Sequence, residues 1–308
     1  MTKPLITIIT PSYNQAQFVA ETIHSVLSQD CEPIEYRVVN DGSTDNTDDV
    51  IMGVLTDRFQ YVLQSNTGQS RTLNEQWGKS NAKYLAYLSS DDLLDPSAIS
   101  KAIAVLEADD GVVCVYPDSQ VIDGAGQVIK RSTGRSFDLE DLVVLQECYI
   151  GPGAVFRRSA FEKVGGWRPE LRLAPDREFW MRLAREGRFH YIDEPLAYYR
   201  LHVNSYSVRE TSHQQSLEYL SVLDDYFSGE APPFIAARRH EAYANANIII
   251  ARNAFRRGDF VQGFRCLAIA RELHSNSINP MMVIKLIRNV VSKPIRVAIF
   301  QIKKFGSK

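Results

Sequence analysis

The stretch LITIITPSYNQAQFVAETIHSVLSQDCEPIEYRVVNDG, residues 5–42, decides the fold class. It begins with the β-branched run LITIIT (5–10) and returns to a second such run, IEYRVV (34–39). Between the two runs, apolar side chains recur at helical spacing: Phe18, Val19, Ile23, Val26 and Leu27. A strand, a helix and a strand in this order predict a βαβ unit with two parallel strands.

The same alternation continues through the first half of the chain. Strand-like runs at 59–64, 84–88 and 112–117 alternate with helical patterns at 70–80 and 96–108. Strands that alternate with helices of this length predict an α/β fold with a mostly parallel sheet flanked by helices. In such sheets ligands bind beyond the carboxyl ends of the strands, and the polar clusters of this sequence fall there.

The second half of the chain has a different texture. We predict a hairpin around Gly124–Gly126, a strand that ends in AVF (154–156), a helix over 175–186 and a strand at LAYYRLH (196–202). From about residue 211 the pattern is helical throughout, with a break at Pro232 and Pro233. The predicted fold therefore ends in a helical C-terminal extension.

Charge, the N-terminal segment and the cysteines argue against a nucleic-acid-binding or secreted protein. The 308 residues include 35 Lys and Arg against 37 Asp and Glu, a net charge of -2, so no overall field favours nucleic acid as a partner. The apolar run near the N-terminus is broken by prolines and is too short for a signal peptide or a membrane span. Four widely separated cysteines form no CxxC pair, which indicates reduced thiols of a cytosolic protein: Cys31, Cys114, Cys148 and Cys266.

Two polar clusters follow the first two predicted strands: TPSYNQ (10–15) and NDGSTDNT (40–47). Each is compatible with an ordinary capped turn, with Ser12, Asn14 or Ser43 as the capping residue. Asp41, at the end of its strand, is equally well placed to accept hydrogen bonds from a ligand. Two such loops at neighbouring strand ends predict a pocket.

A third cluster, SSDDLL (89–94), places Asp91 and Asp92 side by side after a strand. Adjacent carboxylates repel each other, and a divalent cation such as Mg²⁺ or Mn²⁺ offsets that repulsion. The alternative is that Asp92 or Asp95 only starts the helix that follows at Pro96.

A fourth cluster, APDREFWMRLAREG (174–187), carries Asp176 and Glu178 on a predicted helix. Two positions apart, these carboxylates point to different sides of a helix, so only one of them can serve as a catalytic base. The alternative is that Asp176, in the first turn, only complements the helix dipole.

Taken in order, these clusters resemble the inverting family 2 glycosyltransferases of the type that builds bacterial cell-surface polysaccharides. The resemblance covers about residues 5 to 207 and includes GPGAVFRRSAFEKVGGW (151–167), PDREFWMRL (175–183) and YYRLHVNSYS (198–207). It implies the GT-A fold, with a nucleotide-sugar-binding half over 1–117, an acceptor-binding and catalytic-base half over 118–210, and a helical region over 211–308.

The resemblance also implies roles for individual residues. Asp176 would be the catalytic base, and Asp91, Asp92 and His202 would bind Mn²⁺ or Mg²⁺. Asp41 would face the imide nitrogen of a uracil base. The implied nucleotide-sugar-binding residues are Thr10, Pro11, Tyr13, Asp41, Asn66, Gly68, Asn74, Asp91 and Arg200.

Three positions depart from the family pattern. Ser89 stands where many relatives carry the first Asp of the metal motif, which leaves Asp91 and Asp92 to bind the ion. Leu73 replaces a frequent Arg, so Arg71 or Arg200 would meet the diphosphate. Pro175 replaces the Glu of a common Glu-Asp pair, which leaves Asp176 as the matched base.

The predicted function is the transfer of a sugar from a nucleoside diphosphate sugar, UDP-linked by the resemblance, to a saccharide or lipid-linked saccharide. The alternative is a non-catalytic nucleotide-sugar-binding or scaffold subunit in which the departures at Ser89 and Leu73 have cost activity. A sugar-nucleotide pyrophosphorylase would need a Gly-rich basic loop, which TPSYNQ is not.

The last 29 residues, 280–308, carry seven Lys and Arg and no Asp or Glu. Apolar side chains lie between these cations, a pattern typical of a segment that lies on an anionic membrane surface. The alternative is a terminal helix that packs on the protein's own core. With the membrane interpretation, the protein would be cytoplasmic and peripheral on the inner face of the cell membrane.

Overall fold

The computed structural model describes residues 3–203, 205, 211–280, 282, 284 and 286. The chain forms two compact units. The first consists of the chain up to Phe137 together with Tyr149–Pro169 and Arg182–Leu201. The second consists of Asp138–Cys148, Glu170–Met181 and the chain from His202 onward.

The first unit holds a single sheet. The described residues contribute nine strands to it: β1 (Ile6–Ser12), β2 (Ile34–Asp41), β3 (Gln60–Gln64), β4 (Tyr84–Tyr87), β5 (Leu93–Leu94), β6 (Val112–Ile122), β7 (Val128–Lys130), β8 (Val155–Arg157) and β9 (Arg188–Arg200). The strand order is β3-β2-β1-β4-β8-β6-β9-β5, with β7 paired to β6.

Twelve α-helices are present in the described part of the chain: α1 (Val19–Leu27), α2 (Thr47–Gly53), α3 (Gln69–Gly78), α4 (Ala98–Ala108), α5 (Leu139–Val143), α6 (Arg158–Val164), α7 (Pro175–Leu183), α8 (His213–Ser216), α9 (Glu218–Ser228), α10 (Pro233–Ala236), α11 (Arg239–Arg256) and α12 (Phe260–Leu273). A 3₁₀ turn, Ser275–Ser277, follows α12.

The predicted α/β class and the mostly parallel sheet are confirmed. Strands β3, β2, β1 and β4 run parallel, and so do β6 and β9, whose ladder is the longest. Every residue of β1 is buried, as expected for a strand covered on both faces. Ser12, the last residue of β1, pairs with Asn40, the next-to-last residue of β2, so the loops that follow both strands begin side by side.

Several local predictions also hold, with shifted boundaries. Strands β6 and β7 form the predicted hairpin, in which the Asp123 carboxylate accepts the N–H groups of Ala125 and Gln127. Helix α7 ends at Leu183 rather than 186, because the next N–H groups, from Arg185 onward, bond three residues back as in a turn.

The second unit consists mainly of helices, as predicted for the C-terminal region. The predicted break at the proline pair is present, since α10 begins at Pro233. The core between α11 and α12 contains Ile250, Ala251 and Cys266. Among the described residues, no helix combines the length and the apolar character that a membrane span requires.

The boundaries of the units differ from the predicted halves. Two segments from the middle of the chain belong with the C-terminal helices, because their polar groups bond there. Asn245 Nδ2 donates to the carbonyl of Val144 at 2.9 Å, and Glu218 Oε2 accepts the Arg172 N–H at 2.8 Å. The functional division at 117 and 210 stays a prediction.

Candidate active site

Two loops meet at the carboxyl ends of β1 and β2. Asn14 has a positive φ of 54°, which aims its side chain at the second loop. Its Oδ1 accepts the Thr44 N–H at 2.8 Å, and its own N–H donates to Ser43 Oγ at 3.0 Å. The Gln15 N–H donates to Thr47 Oγ1 at 2.9 Å. The two loops therefore contact each other through polar residues, Asn14 and Ser43 among them, that could have been simple caps, and the predicted pocket stays a prediction.

A third loop, after β3, is fixed by Asp41. Its Oδ1 accepts the Thr67 N–H and Gln64 Nε2, both at 2.8 Å, and its Oδ2 accepts the Gly68 N–H at 2.8 Å. A Cβ on Gly42 would lie 2.7 Å from the backbone nitrogen of Asn66, so only glycine permits this approach. Asn66 and Gly68 thus lie beside Asp41, and their nucleotide-binding role stays a prediction.

The remaining predicted nucleotide residues differ in environment. Thr10 is fully buried and accepts a hydrogen bond from the Tyr36 hydroxyl at 3.0 Å, whereas Tyr13 is 47% exposed. Asn74 bonds to both backbone groups of Trp167, donating to its carbonyl at 2.6 Å and accepting its N–H at 2.8 Å. The structure therefore shows Asn74 linking α3 to the segment that follows α6, and its nucleotide role stays a prediction.

The acidic pair lies in a turn between β4 and β5, closed by the Asp92 N–H and the Ser89 carbonyl at 3.0 Å. Asp92 is 4% exposed, and its Oδ1 accepts the N–H of Arg200 at 2.8 Å. Thr22 Oγ1, in α1, donates to the carbonyl of Asp92 at 2.8 Å. The turn is thus held from α1 on one side and from the last residue of β9 on the other.

Arg200 is 1% exposed. Its Nε donates to the carbonyl of Asp91 at 2.8 Å, and its Nη2 pairs with Glu21 Oε2 at 2.7 Å. The guanidinium carbon lies 4.8 Å from the centre of the Phe18 ring. The residue predicted to contact the diphosphate therefore directs its guanidinium at the acidic turn and at α1, while Arg71, in the first turn of α3, is exposed.

The pKa of Asp92 is raised well above its ordinary value. Burial is the largest cause and the neighbouring Asp91 carboxylate is the second, while the N–H and the charge of Arg200 lower the pKa in part. A cation close to the pair would favour the charged form of both groups. The carboxyl oxygens of the turn therefore fit a hard divalent ion.

Across the described residues, no three His, Cys, Asp or Glu side chains form a metal-binding cluster by themselves. Mg²⁺ and similar ions are commonly held by one or two carboxylates plus water and substrate phosphates, rather than by a cage of protein ligands. The carboxylates of Asp91 and Asp92 match that mode of binding.

Asp176 and His202 belong to the second unit. Asp176 is half-buried in the first turn of α7; burial raises its pKa, and the adjacent Arg177 N–H and charge oppose that rise. Arg177 is held by the carbonyl of Leu142 at 3.3 Å and by Gln146. His202 is buried, and its backbone N–H donates to Ser205 Oγ at 3.0 Å.

A family model described as "Glycosyl transferase family 2" matches residues 7–165, more than half of the chain. The chain belongs to glycosyl transferase family 2. The matched range contains the three loops and the acidic turn, and it ends before Asp176 and Arg200.

The curated relatives align with this chain over only part of their own length. An uncharacterized glycosyltransferase of Nostoc sp. is 32% identical over 209 residues, which cover 64% of this chain and 65% of that protein. The chondroitin synthase of Pasteurella multocida is 26% identical over 223 residues, which cover 71% of this chain and 23% of that protein. The chain therefore spans less than two thirds of the length of either relative.

Solved structures share the fold of this chain at low sequence identity. Staphylococcus aureus TarS 1–349 in complex with UDP-GlcNAc has a TM-score of 0.59 at 15% identity and covers 88% of this chain and 92% of its own. The mannosyltransferase PcManGT of Pyrobaculum calidifontis, in complex with GDP-Man and Mn²⁺, has a TM-score of 0.58 at 18% identity and covers 95% and 88%. These likenesses confirm the GT-A fold.

Sequence patterns alone missed part of this family 2 site. Glu21 and Thr22 look like ordinary polar positions of the amphipathic helix α1, yet Thr22 donates to the acidic turn and Glu21 pairs with Arg200. The contact of Glu21 depends on the pairing of β5 with β9, which brings Arg200 to a turn more than 100 residues earlier in the chain. No local signal marks such a contact.

Proposed function

We propose that this chain is an inverting, metal-dependent glycosyltransferase that moves a sugar from a UDP-linked donor to a saccharide or lipid-linked saccharide acceptor. The observation that carries the proposal is the acidic turn, in which a buried carboxyl with a raised pKa adjoins a second carboxylate in a family 2 chain. Such a pair suits a site that neutralises a diphosphate leaving group.

For the donor, we assign the base to the loops after β1 to β3. Thr10, Pro11 and Tyr13 would line the base, and Asp41, with Asn66 and Gly68 beside it, would accept its imide N–H. The complex of TarS with UDP-GlcNAc supports a UDP-linked donor. Asn74 would act through the position of α3, because its amide is bonded to Trp167.

For the cation, Asp91 and Asp92 would supply the carboxylate oxygens, and His202 a further ligand. The Mn²⁺ bound by PcManGT supports this assignment. When bound, Mn²⁺ or Mg²⁺ would offset the negative charge that develops on the departing nucleoside diphosphate. Thr22 and Arg200 hold the backbone of the turn that presents these carboxylates.

For the acceptor, we assign the role of general base to Asp176. Its carboxylate would take the proton of the acceptor hydroxyl as the acceptor oxygen bonds to the anomeric carbon and the bond from that carbon to the diphosphate oxygen breaks. Attack opposite the leaving group inverts the configuration. Burial raises the pKa of Asp176, which makes its carboxylate a stronger base toward the proton of the acceptor hydroxyl.

Residues 280–308 would attach the enzyme to the anionic inner face of the cell membrane. Apart from 280, 282, 284 and 286, this segment lies outside the described residues. Support within the described part comes from α12, which exposes Phe260, Val261 and Phe264 next to the exposed Arg265. Apolar side chains beside cations suit the headgroup boundary of an anionic bilayer. The likeness to the chondroitin synthase supports a saccharide acceptor for such an enzyme.

A screen of nucleotide sugars with Mn²⁺, scored for released nucleoside diphosphate, tests the enzymatic proposal. We expect release from a UDP-sugar, loss of that release in EDTA and its recovery with added Mn²⁺. Release that is unaffected by EDTA would contradict metal dependence. Binding of UDP without turnover of any donor or acceptor would instead favour the non-catalytic subunit.

Vesicle co-sedimentation tests the membrane proposal. The full chain should bind phosphatidylglycerol vesicles at low salt and release them at high salt, because each Lys or Arg near the surface contributes roughly 1 kcal/mol. A chain that ends at Asn279 should bind much more weakly, and Leu63→Ser, at an exposed apolar position of β3, serves as the matched control. Equal binding by the full and the shortened chain would refute the role of 280–308.

A further inference from the structure

The acidic turn is fixed through its backbone as well as through a carboxylate. The carbonyl of Asp91 accepts Arg200 Nε, and the carbonyl of Asp92 accepts Thr22 Oγ1, both at 2.8 Å. The Arg200 N–H adds the bond to Asp92 Oδ1. Two consecutive peptide carbonyls are thus held by side chains from two different elements, which fixes the direction in which the two carboxylates leave the turn.

Arg200 is itself oriented. Its guanidinium is planar and presents donors in a fixed fork, so one bond at Nε and another at Nη2 together define the plane. The Nη2 bond goes to Glu21, whose side chain is 59% exposed, and the Phe18 ring packs against the guanidinium. The guanidinium of Arg200 therefore bonds to Glu21 on its solvent-facing side and to the carbonyl of Asp91 on its buried side.

We propose that Arg200 is a positioning residue for the Asp91–Asp92 turn, oriented by Glu21, rather than a ligand of the donor diphosphate. Two adjacent carboxylates move apart when nothing restrains them, because their charges repel. Arg200 opposes that movement in two ways. Its guanidinium fixes the Asp91 carbonyl, and its backbone N–H holds the Asp92 carboxylate. The cation affinity of the pair therefore depends on a residue that does not touch the cation; this inference rests on the function proposed above for the pair.

Arg200→Lys tests the role, because lysine keeps the charge and loses the fork. We expect the Kd for Mn²⁺ in the presence of UDP, measured from the electron paramagnetic resonance of free Mn²⁺, to rise about 10- to 100-fold, as for other residues that orient metal ligands. UDP affinity without metal should stay within about twofold of the wild type, because the guanidinium does not contact the donor. Glu21→Gln should raise the Mn²⁺ Kd in the same direction by a smaller factor.

Arg157→Lys is the matched control. Arg157 is also buried in the sheet and also bonds to backbone carbonyls, those of Val112 and Asp109, but none of its partners lies in the acidic turn. It should leave the Mn²⁺ Kd unchanged in protein that remains folded, as judged by circular dichroism.

Two outcomes would overturn the inference. An unchanged Mn²⁺ Kd in Arg200→Lys would remove the positioning role, and a loss of metal-free UDP affinity as large as the loss of Mn²⁺ affinity would return Arg200 to the diphosphate. Failure of the proposed function has a different signature: the wild-type chain would then bind no Mn²⁺ with UDP, which would remove the metal site and the inference together.

Discussion

Asp41 and Asp92 are buried aspartates of the first unit, one at the end of β2 and the other in the turn directly before β5, yet their carboxylates have different hydrogen-bond partners. Asp41 accepts bonds from Gln64, the last residue of β3, and from Thr67 and Gly68 in the loop that follows. Asp92 accepts one, from the Arg200 N–H, and adjoins the carboxylate of Asp91.

This difference distinguishes a carboxylate that organises a loop from one that is suited to bind a ligand. Hydrogen bonds from the chain compensate Asp41 for its loss of water, so Asp41 organises a loop whether or not a ligand is present. Asp92 lacks comparable compensation, and its pKa rises in consequence. A carboxylate kept under these conditions requires an external cation or a proton, which favours a role in ligand binding for Asp92 over one in structure.

The largest effect is expected at Asp92. Asp92→Asn keeps an oxygen for the Arg200 N–H and removes the charge, so turnover should fall by ~10³-fold or more, since a metal ion contributes several kcal/mol to the transition state. Steady-state kinetics over a Mn²⁺ titration measures the loss. Asp95→Asn, three residues on, is the control, because the Asp95 carboxylate accepts the N–H and Oγ of Ser97 at the start of the next helix. Similar losses in both variants would contradict the special role of Asp92.

Asp176 extends the comparison to a carboxylate whose pKa is raised by burial while an arginine lies next to it. Asp176→Asn should lower kcat by ~10²-fold or more and leave UDP affinity nearly unchanged, as for a lost general base. In the wild type, kcat should fall as pH drops through the raised pKa, because only the carboxylate form accepts a proton. An intact kcat in Asp176→Asn, together with a loss in Glu178→Gln, would move the base to Glu178.

Asp41 should show a smaller effect. Asp41→Ala is expected to weaken UDP binding by about 1 to 3 kcal/mol, the range for a lost hydrogen bond to a charged group, measured by calorimetry. Because Asp41 also anchors the loop after β3, the comparison with CDP is informative. A direct bond to the uracil imide predicts a loss that is larger for UDP than for CDP, whereas a loop anchor alone predicts equal losses.

The strands β1 and β2 and the loops that follow them could be predicted from sequence, because the patterns that indicate them are local. The runs that became β1 and β2 and the polar residues that follow them lie within 43 residues, and their periodicity determines both the parallel pairing and the loop positions. The contacts of Arg200 could not be predicted in this way. They depend on the register of β9 against β5 and β6, which no local pattern specifies.

The side-chain partners of Asn74 were equally hidden from sequence patterns. Its position in NTGQSRTLNEQW matches a nucleotide-binding segment, but its amide bonds to Trp167, 93 residues later. The hydrogen bonds of Arg200 to Asp91 and Glu21 were hidden in the same way, and its predicted contact with the diphosphate stays a prediction that Arg200→Lys tests. In both cases tertiary contacts, rather than propensities, determine what the side chain does.

The smallest expected effect is on the free energy of unfolding of the metal-free protein. Replacement by Asn should change it in opposite directions at Asp92 and at Asp41. A buried carboxyl with a raised pKa costs stability when it is ionised, so Asp92→Asn should raise the free energy of unfolding of the metal-free protein at neutral pH by about 1 kcal/mol. Asp41→Asn should lower it, because the amide group would face the donors that now bond to the carboxylate. Urea unfolding in EDTA measures both.

The pH dependence of the Asp92 effect follows from proton linkage. Between the unfolded pKa, about 3.9, and the raised folded pKa, the native state binds more protons than the unfolded state, so wild-type stability falls as pH rises through this window. The advantage of Asp92→Asn should therefore be absent below the unfolded pKa, grow through the window and level off above the folded pKa. Mn²⁺ with UDP should reverse it, because only the wild type gains binding free energy from the ion. An Asn variant that is less stable than the wild type at neutral pH in EDTA would mean that the carboxylate of Asp92 is satisfied by the chain, as that of Asp41 is, and that the contrast between the two sites is wrong.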